Sequence, residues 1–592
     1  MTAAAPVRRE VFVDGHLFIT PGDITQISAH ALAYSASSYL GADGNLFSAF
    51  AQHVPGFGDW LAGVRRGLDE PCVPGATFWM PLDKGRKPHG VVVVVAAARG
   101  STSEDKAACA VRAALTTAVA RLRAERGAGE RLLVALPAFR VGMGGDRGQR
   151  LRSARVQVAT ALEVLGELEN VDAVFVTYTH TLYRIFLEAR RQVLGAPAPD
   201  AARHPALEDS LLAGECVLYV GAGLSRGAGL PDWNELIARL TADLNLKPGG
   251  RIDYLDLAQW YRERFGPPTL ANVINRTFSD PSCRPLPTLA HYLLMALPVR
   301  HVITTNYDDL LERALAAIKR HPVKVVQQQD VARTGQAGGV FVVKLHGDIA
   351  HPEEIVLSRD DYDEFFERRP AMALLLEGLL LNQTFFFVGY GLRDPNFRQI
   401  YARIARMLRE ARRPAFATTF EAAGDSAPYL TQQWRNKQLH LISIPGGSTA
   451  EQEQQFVRFL DRLADQVTMQ TPRLFLAPDV AAPPRLAHLR RELVEHVGAE
   501  LEAACQGDLS EPDAGPQVRY LSAVLEFLTK QGWNPGPRQG RDLCRLWERL
   551  AAHTADPLER RRLLILALEC TEDFADVQRV RQQLADVEKM TR

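Results

Sequence analysis

The chain has 592 residues, with 69 Lys and Arg against 69 Asp and Glu for a formal net charge of +0, and 46% of its residues are hydrophobic. At about 100 to 200 residues per domain this length calls for several cores. The balanced charge excludes a chain drawn as a whole to nucleic acid or anionic lipid, and the composition excludes a fibrous or wholly disordered protein. The 7 cysteines are scattered, with no Cys-x-x-Cys pair, which fits free thiols in a reducing compartment and predicts no metal site and no structural zinc. Arg8, Arg9 and Glu10 fall where a signal peptide needs its apolar core, so a cytoplasmic protein is expected. The most membrane-like window, Ala371 to Val388, is interrupted by Glu377, Asn382 and Gln383, and reads as a buried helix followed by a buried strand.

Two Pro/Ala-rich stretches, Ala196 to Pro205 and Pro472 to Pro484, cannot hold a helix or central strand. They divide the chain into segments 1–195, 206–468 and 485–592. The first carries strand-like runs at Arg9 to Val13, Val91 to Ala97, Arg131 to Leu136 and Ala173 to Tyr178, with a helical stretch at Lys106 to Glu125, an alternation that predicts an α/β domain. The second repeats the class, with strands at Cys216 to Val220, His301 to Thr305, Val340 to Leu345, Thr384 to Val388 and His440 to Ile444. The third shows only helical periodicity, at Tyr520 to Leu528 and Leu543 to Ala551, and predicts a small bundle packed on the middle segment, on another subunit or on a partner.

In the middle segment four strands each end in a polar or glycine-rich cluster: Gly221-Ala-Gly-Leu-Ser225, Asn306-Tyr-Asp308, His346-Gly-Asp348 and Gly389-Tyr-Gly-Leu-Arg-Asp394. Ligands of open parallel sheets bind outside the carboxyl ends of the strands, so these clusters are expected to line one crevice. The first follows an apolar strand and precedes a helix over 234–244, as a phosphate-cradling loop does, with Gly221 and Gly223 permitting close backbone approach. The dinucleotide fingerprint needs a third glycine at position 226, which is Arg, so this is not the dehydrogenase pattern. Gly223-Leu-Ser225-Arg-Gly227 also fits a nucleophile elbow, with Asp308 and His346 downstream in the order of a serine hydrolase. An elbow requires a helix directly after the serine, where Gly227, Gly229 and Pro231 break one, while Pro231 and Asp232 read as the start of a later helix. Singly, a strand-end histidine is most often structural and an Asn after a strand is most often a turn former; the joint pattern is what marks a site.

Gly221 to Trp233, Thr304-Thr-Asn-Tyr-Asp308, Lys344-Leu-His-Gly-Asp348 and Gly389 to Asn396 together resemble the sirtuin-like domain of prokaryotic anti-phage effectors, including the NAD-cleaving effector of Thoeris systems. The resemblance covers about Ala206 to Leu463 and implies a Rossmann-type parallel sheet. The chain departs from deacylase sirtuins: the zinc-ribbon cysteines are absent, Trp233-Asn234 replaces Phe-Arg, and Thr305-Asn-Tyr replaces Gln-Asn-Ile. It implies Asn306 as the residue that bonds a ribose hydroxyl or holds the attacking water, and His346 as the proton-exchanging group. Asp308 would meet the nicotinamide amide, and Gly221, Ala222, Gly223 and Ser225 the diphosphate. Pro231, Asp232, Gly389, Gly391, Asp394 and Asn396 would complete the NAD site, the last two toward adenosine. Arg359-Asp-Asp-Tyr362 recurs in the family, with no chemistry assigned to it beyond a solvated helix start.

In the first segment Gly22-Asp-Ile-Thr25 and Leu136 to Gly145 both follow strands, and the consecutive glycines of the second expose backbone N–H groups. Their order resembles the macro domain, a three-layer α/β module that binds ADP-ribose, with Asp23 and Ile24 at the adenine and Gly142, Gly144 and Gly145 in the diphosphate loop. Tyr34-Ser-Ala-Ser37 stands where that family has Asn-Ala-Ala-Asn, and Gly41-Ala-Asp-Gly44 where it has three glycines, so ADP-ribose hydrolysis is not expected.

The two resemblances imply an NAD glycohydrolase (NADase) that yields nicotinamide and ADP-ribose and depletes NAD in abortive anti-phage defence. It would use NAD as substrate and no other cofactor. Gating by homo-oligomer assembly, by an ADP-ribose-like or signal nucleotide at the first domain, or by a phage or partner protein is expected, with no membrane or nucleic-acid partner. An NAD-dependent ADP-ribosyltransferase, a non-catalytic nucleotide-sensing module and, more distantly, a serine hydrolase are the competing readings.

Overall fold

The computed structural model describes residues 15–41, 44–83, 85, 87–97, 103–127, 129–139, 150–195, 203–231, 233–243, 253–279, 285–335, 339–390, 395–408, 413–420, 438–470, 537–552, 554, 557–570 and 574–590. Its first sheet has strands β1 (Leu17–Pro21), β2 (Ala31–Ser37), β3 (Thr77–Pro81), β4 (Gly90–Ala97), β5 (Leu132–Pro137) and β6 (Val171–Thr177), in the order β1-β6-β5-β2-β4-β3. All pairs are parallel except β3 with β4. The strands expected at 91–97, 131–136 and 173–178 are β4, β5 and β6, and the expected helix at 106–125 lies within Ser103–Arg126. The run at Arg9 to Val13 lies outside the described residues. Sequence patterning missed β2, whose Ala and Ser residues have little strand propensity, and the half-buried edge strand β3.

The second sheet is wholly parallel: β7 (Cys216–Val220), β8 (His301–Thr304), β9 (Pro322–Val325), β10 (Val340–Lys344), β11 (Thr384–Val388), β12 (Ala415–Phe420) and β13 (Leu439–Ile444), in the order β13-β12-β11-β7-β8-β10-β9. β7, β10 and β11 are buried at every position and largely apolar, as a sheet covered on both faces requires. The chain runs from β7 outward through β8, then crosses back to β11 on the other side of β7, so the switch point lies at β7 and its two neighbours. The third segment contributes helices Pro537–Ala552, Pro557–Cys570 and Phe574–Met590, the first of which contains the expected run at 543–551; the run at 520–528 lies outside the described residues. No described helix is long and apolar enough to cross a membrane.

The two sheets share one hydrophobic core, which runs from Phe18, Leu32 and Val174 through Tyr292 and Leu293 to Leu218 and Val302. The Leu289–Ala296 helix lies at the seam, and Tyr292 donates from its hydroxyl to the Asp23 carbonyl at 3.0 Å. Gly22 has a φ of +145°, and a Cβ there would stand 2.4 Å from the Tyr292 ring. The Thr449–Gln470 helix adds a buried ion cluster to the same seam: Arg190 lies 2.8 Å from Asp461, which is also 3.0 Å from His16, and Arg191 lies 3.2 Å from Asp465. Burial raises the Asp461 carboxyl and Arg190 and His16 lower it, with a net shift downward, so it stays ionised.

Two buried histidines tie the fold to pH. His30 accepts the Leu133 N–H on Nδ1 at 2.9 Å and shares a 3.1 Å hydrogen bond with Glu130 through Nε2, a pattern of a neutral ring. Its pKa is lowered to about 4 by burial and by Lys87, against the opposing pull of Glu130. His291 accepts from the Thr288 N–H and is lowered to about 3 by burial and Arg313. Both bind a proton in the unfolded chain before they do in the fold, so their stabilisation is complete above about pH 6.5 and falls as pH drops toward 4, by roughly 1.4 kcal/mol per pH unit for each ring. Thermal unfolding followed from pH 7.5 to pH 5 is expected to show a falling midpoint. His291→Asn, which keeps an acceptor for Thr288 and does not titrate, is expected to flatten that slope.

Candidate functional site

Four motifs begin from one row of paired residues. Val388 pairs with Val220, Val220 with Thr304, and Thr304 with Lys344, so all four strands end at the same level and their loops rise side by side. Asn306 and His346 each stand two residues beyond a paired position on adjacent strands. The four clusters expected to converge do rise from this one strand-end row.

The first loop and the fourth are packed backbone to backbone. A Cβ on Gly221 would lie 2.5 Å from the Gly389 carbonyl oxygen, one on Gly223 2.8 Å from it, and one on Gly389, whose φ is +60°, 2.5 Å from the Leu224 nitrogen. The Gly221 N–H donates to Val388 O and the Gly223 N–H to Gly389 O, each at 3.0 Å. The glycines are therefore required by loop-to-loop contact, with no ligand needed to account for them. After them the chain makes one helical turn, Gly223–Arg226, before the helix Trp233–Asp243.

Ser225 sits in that turn, buried, and donates from Oγ to Asp308 Oδ2 at 2.8 Å. A hydroxyl has one proton to give. Because it goes to a carboxylate and not to an imidazole, and because the helical turn starts before the serine and ends at Arg226, Ser225 lacks the geometry of a hydrolase elbow. Asp308 accepts the Leu310 N–H on Oδ1 at 3.1 Å, so both of its oxygens are engaged within the protein, and burial raises its pKa against the pull of Lys344. Asn306 donates from Nδ2 to Gly221 O at 3.3 Å and to Ser225 Oγ at 3.1 Å, which fixes the orientation of its amide. Its N–H donates to Thr304 Oγ1, itself bonded to Val220 O. Asn306 Oδ1 is buried and accepts no hydrogen bond from the described residues. Such an acceptor is costly to leave unmet, and a water or a donor group of a ligand would satisfy it.

His346, 4% exposed, shares a 3.3 Å hydrogen bond through Nδ1 with the Tyr362 hydroxyl and meets that ring edge-on. Arg359-Asp-Asp-Tyr362 thus acquires a physical account. Ser358 and Asp361 form a capping box that starts the Arg359–Asp363 helix, Arg262 donates to Asp361 at 2.8 Å, and Arg359 reaches Asp256 at 2.8 Å. The motif pins Tyr362 against the Tyr254–Phe265 helix and holds it on His346. Gly347, with a φ of +89°, turns the chain where a Cβ would stand 2.2 Å from Glu354 O.

Behind these loops lies Lys344, wholly buried at the end of β10, with Nζ 2.9 Å from Asp348 Oδ2 and 3.3 Å from Glu312 Oε1. It donates to the carbonyls of Tyr307 and Asp308. Burial disfavours the ammonium, but Glu312, Asp348 and Asp308 outweigh burial and raise its pKa, while Lys344 and Lys324 together hold Asp348 below the usual carboxylate range despite burial. Sequence reasoning missed Lys344, Glu312 and Tyr362 as site residues; the signal for Lys344 was a charged residue closing an otherwise apolar strand with a carboxylate four residues on.

The structure thus brings Gly221, Ala222, Gly223, Ser225, Asn306, Asp308, His346 and Gly389 to one end of the sheet, with Pro231 buried between the helical turn and the Trp233–Asp243 helix. Asp232, Gly391 and Asp394 lie outside the described residues, and Asn396 lies at the start of the Pro395–Leu408 helix. Of the first segment's nominated residues, Asp23 caps a 3-10 turn by accepting from Thr25 N at 2.9 Å and Thr25 Oγ1 at 2.7 Å, and Ile24 is buried in the core. Gly142, Gly144 and Gly145 lie outside the described residues.

Residues 300–442, which include β8, Asn306, His346 and β11, match the SIR2-like domain family. That SIR2-like match spans about a quarter of the chain. It is 33% identical over 189 residues to the NAD(+) hydrolase ThsA of Bacillus cereus (strain MSX-D12), covering 32% of this chain and 39% of that one. It is 31% identical over 205 residues to the NAD(+) hydrolase ThsA of Enterococcus faecium, 34% of this chain and 42% of that one. It is 26% identical over 240 residues to defense-associated sirtuin 2 of Bacillus subtilis, 39% of this chain and 23% of that one. The matches to the two hydrolases span about two fifths of those proteins' length. Among solved structures, the Oceanobacillus iheyensis macrodomain with ADP matches 31% of this chain and 95% of its own at 18% identity, with a TM-score of 0.27.

Lys344→Met is expected to leave Asp348 and Glu312 as buried carboxylates without their main cation, at a cost of about 3–5 kcal/mol. Calorimetric unfolding checks this: the transition that includes the SIR2-like domain should fall by several degrees, and an unchanged transition would remove Lys344 from its central place.

Proposed function

We propose that the chain is an NAD glycohydrolase that cleaves NAD to nicotinamide and ADP-ribose, and that it serves anti-phage defence by depleting NAD. The observation that carries this reading is the buried, unmet acceptor of Asn306, fixed by Ser225 and Gly221 at the switch point and one strand away from His346. Support comes from the relatives that bear the name NAD(+) hydrolase and match part of this chain.

Breaking the nicotinamide–ribose bond develops positive charge at the anomeric carbon, so the catalyst must hold the ribose and orient a nucleophile more than it must supply a strong base. Asn306 Oδ1 accepts a hydrogen bond from a ribose hydroxyl or from the attacking water, and its rigid amide makes that contact preorganised. His346 exchanges a proton with a hydroxyl or water, and the tautomer that Tyr362 selects at Nδ1 decides whether Nε2 gives or takes that proton. Asp308 acts through Ser225 to hold Asn306, a role that replaces the expected contact with the nicotinamide amide. In this reading segments 1–195, 206–468 and 485–592 are three domains of a cytoplasmic homo-oligomer whose activity is released by a nucleotide, a phage protein or another partner.

Nicotinamide release from NAD by wild type, Asn306→Ala and His346→Ala, with and without lysate from infected cells, tests the reading. Each variant is expected to lose about 10²-fold or more, and equal release by all three would end it. Tyr362→Phe is expected to keep turnover within about tenfold of wild type while shifting the pH profile, as befits a group that tunes the catalytic imidazole. Label from NAD recovered on protein and not as free ADP-ribose would assign the same pocket to an ADP-ribosyltransferase.

A further inference from the structure

A cavity of about 270 Å³ opens where the three segments meet. Its walls include Tyr178, just past β6, the stretch Lys319 to Pro322 that leads into β9, and Arg561, Leu568 and Arg581 from the last two helices. We propose that this junction binds a small phosphorylated ligand with an aromatic body, of the size and chemistry of a mononucleotide. The inference is independent of the NAD-cleaving reading, since no residue of the strand-end row lines this cavity.

Volume decides the size class. Ligand sites range from about 300 to 1,000 Å³, so this cavity, just under that range, suits one nucleotide better than the dinucleotide NAD. Charge decides the anion. Lys319, His321, Arg561 and Arg581 are all half-buried, and no Asp or Glu stands among the described residues that line the cavity. Arg320 also borders it, with its guanidinium donating to the carbonyls of Met295 and Leu297. A guanidinium cannot accept a hydrogen bond, so Arg561 donates to His321 Nδ1 at 3.1 Å and the His321 proton lies on Nε2, which keeps this part of the wall a set of donors. The apolar walls decide the body. Tyr178 is 42% exposed, with the Lys319 ammonium 3.5 Å from its ring centroid, a cation–π contact that holds the ring as a flat wall beside Leu568.

The junction also has a short mechanical connection to the strand-end loops. The Leu310–Ala317 helix starts beside Asp308, carries Glu312 and ends two residues before Lys319, and Lys324, two residues past the cavity's Pro322, lies 3.0 Å from Asp348. A ligand that draws Lys319, Arg561 and Arg581 together therefore bears on the elements that fix Lys344.

Calorimetric titration of the full chain with ADP, pyrophosphate and adenosine tests the proposal. ADP is expected to bind, with pyrophosphate and adenosine each at least tenfold weaker. Lys319→Glu and Arg581→Glu are expected to weaken ADP at least tenfold. Ala316→Trp, on an exposed wall of the cavity, is expected to block it without disturbing the core, so the proposal stays testable if a charge reversal misfolds. Asn306→Ala is expected to bind ADP as wild type does. Absence of saturable ADP binding would overturn the proposal. So would binding lost in Asn306→Ala but kept in the three junction variants, which would move it to the crevice, and so would pyrophosphate or adenosine binding as tightly as ADP.

Discussion

The ammonium of Lys344 is the interaction on which the site depends. An ion taken fully out of water loses several kcal/mol of hydration, and only close opposite charge and hydrogen bonds restore it. Here the restoring groups come from three separate pieces of chain: the carbonyls of Tyr307 and Asp308 from the loop after β8, Glu312 from the helix that follows, and Asp348 from the loop after β10. Moving any one of these loops would expose a gap around a buried charge. The cost of burying Lys344 thus becomes stiffness, and Asn306 and His346, which flank its partners, inherit their positions from it.

A second constraint is register. Parallel strands paired in one row end at one level, and the residues that follow share a rim. This much was legible in the sequence, because apolar runs that end abruptly in Asn-Tyr-Asp, His-Gly-Asp or Gly-Tyr-Gly announce both the strand and its carboxyl end. Two strands of the sheet were not: the edge strand β9 is only four residues of mixed polarity, and β12, between β11 and β13, ends in the half-buried Thr418 and Thr419 and the exposed Phe420. Nor was the partnership of Tyr362 with His346 legible, since the two stand sixteen positions apart across turns and short helices, and contacts from a distant helix, Arg262 and Asp256 among them, fix the approach. The glycines were read correctly as positions of close backbone approach, but the backbone that approaches is the neighbouring loop's own. Sequence gives the need for a missing side chain; it does not say what fills the space.

The seam between the sheets follows a different logic. Arg190 and Asp461 are both nearly inaccessible and belong to segments 271 positions apart, so each charge is satisfied only when the first segment is docked on the second. A buried pair of this kind contributes little net stability relative to apolar residues, but its loss from one side is severe, which makes it a device for alignment more than for adhesion. Adhesion comes from the core that the two sheets share through the Leu289–Ala296 helix.

That helix limits how any switch can work. It contacts β1 of the first sheet, leads directly into β8 of the second, and has Leu289, Tyr292, Leu293, Leu294 and Met295 buried. At about 1.5–3 kcal/mol for each large side chain returned to water, stripping even half of this surface by lifting the first sheet away would cost well over the 1–3 kcal/mol that a ligand typically contributes to coupling two sites. Detachment of the first sheet is therefore too costly a motion for a switch built on this frame. What a ligand or a neighbouring subunit can move at that energy is a small shift of elements already in contact. The Leu289–Ala296 helix, the β8 strand and the Leu310–Ala317 helix are consecutive in the chain, and Asn306 lies between the last two, so a displacement of a fraction of an ångström at either end of this series bears directly on the residue whose buried acceptor is unmet among the described residues.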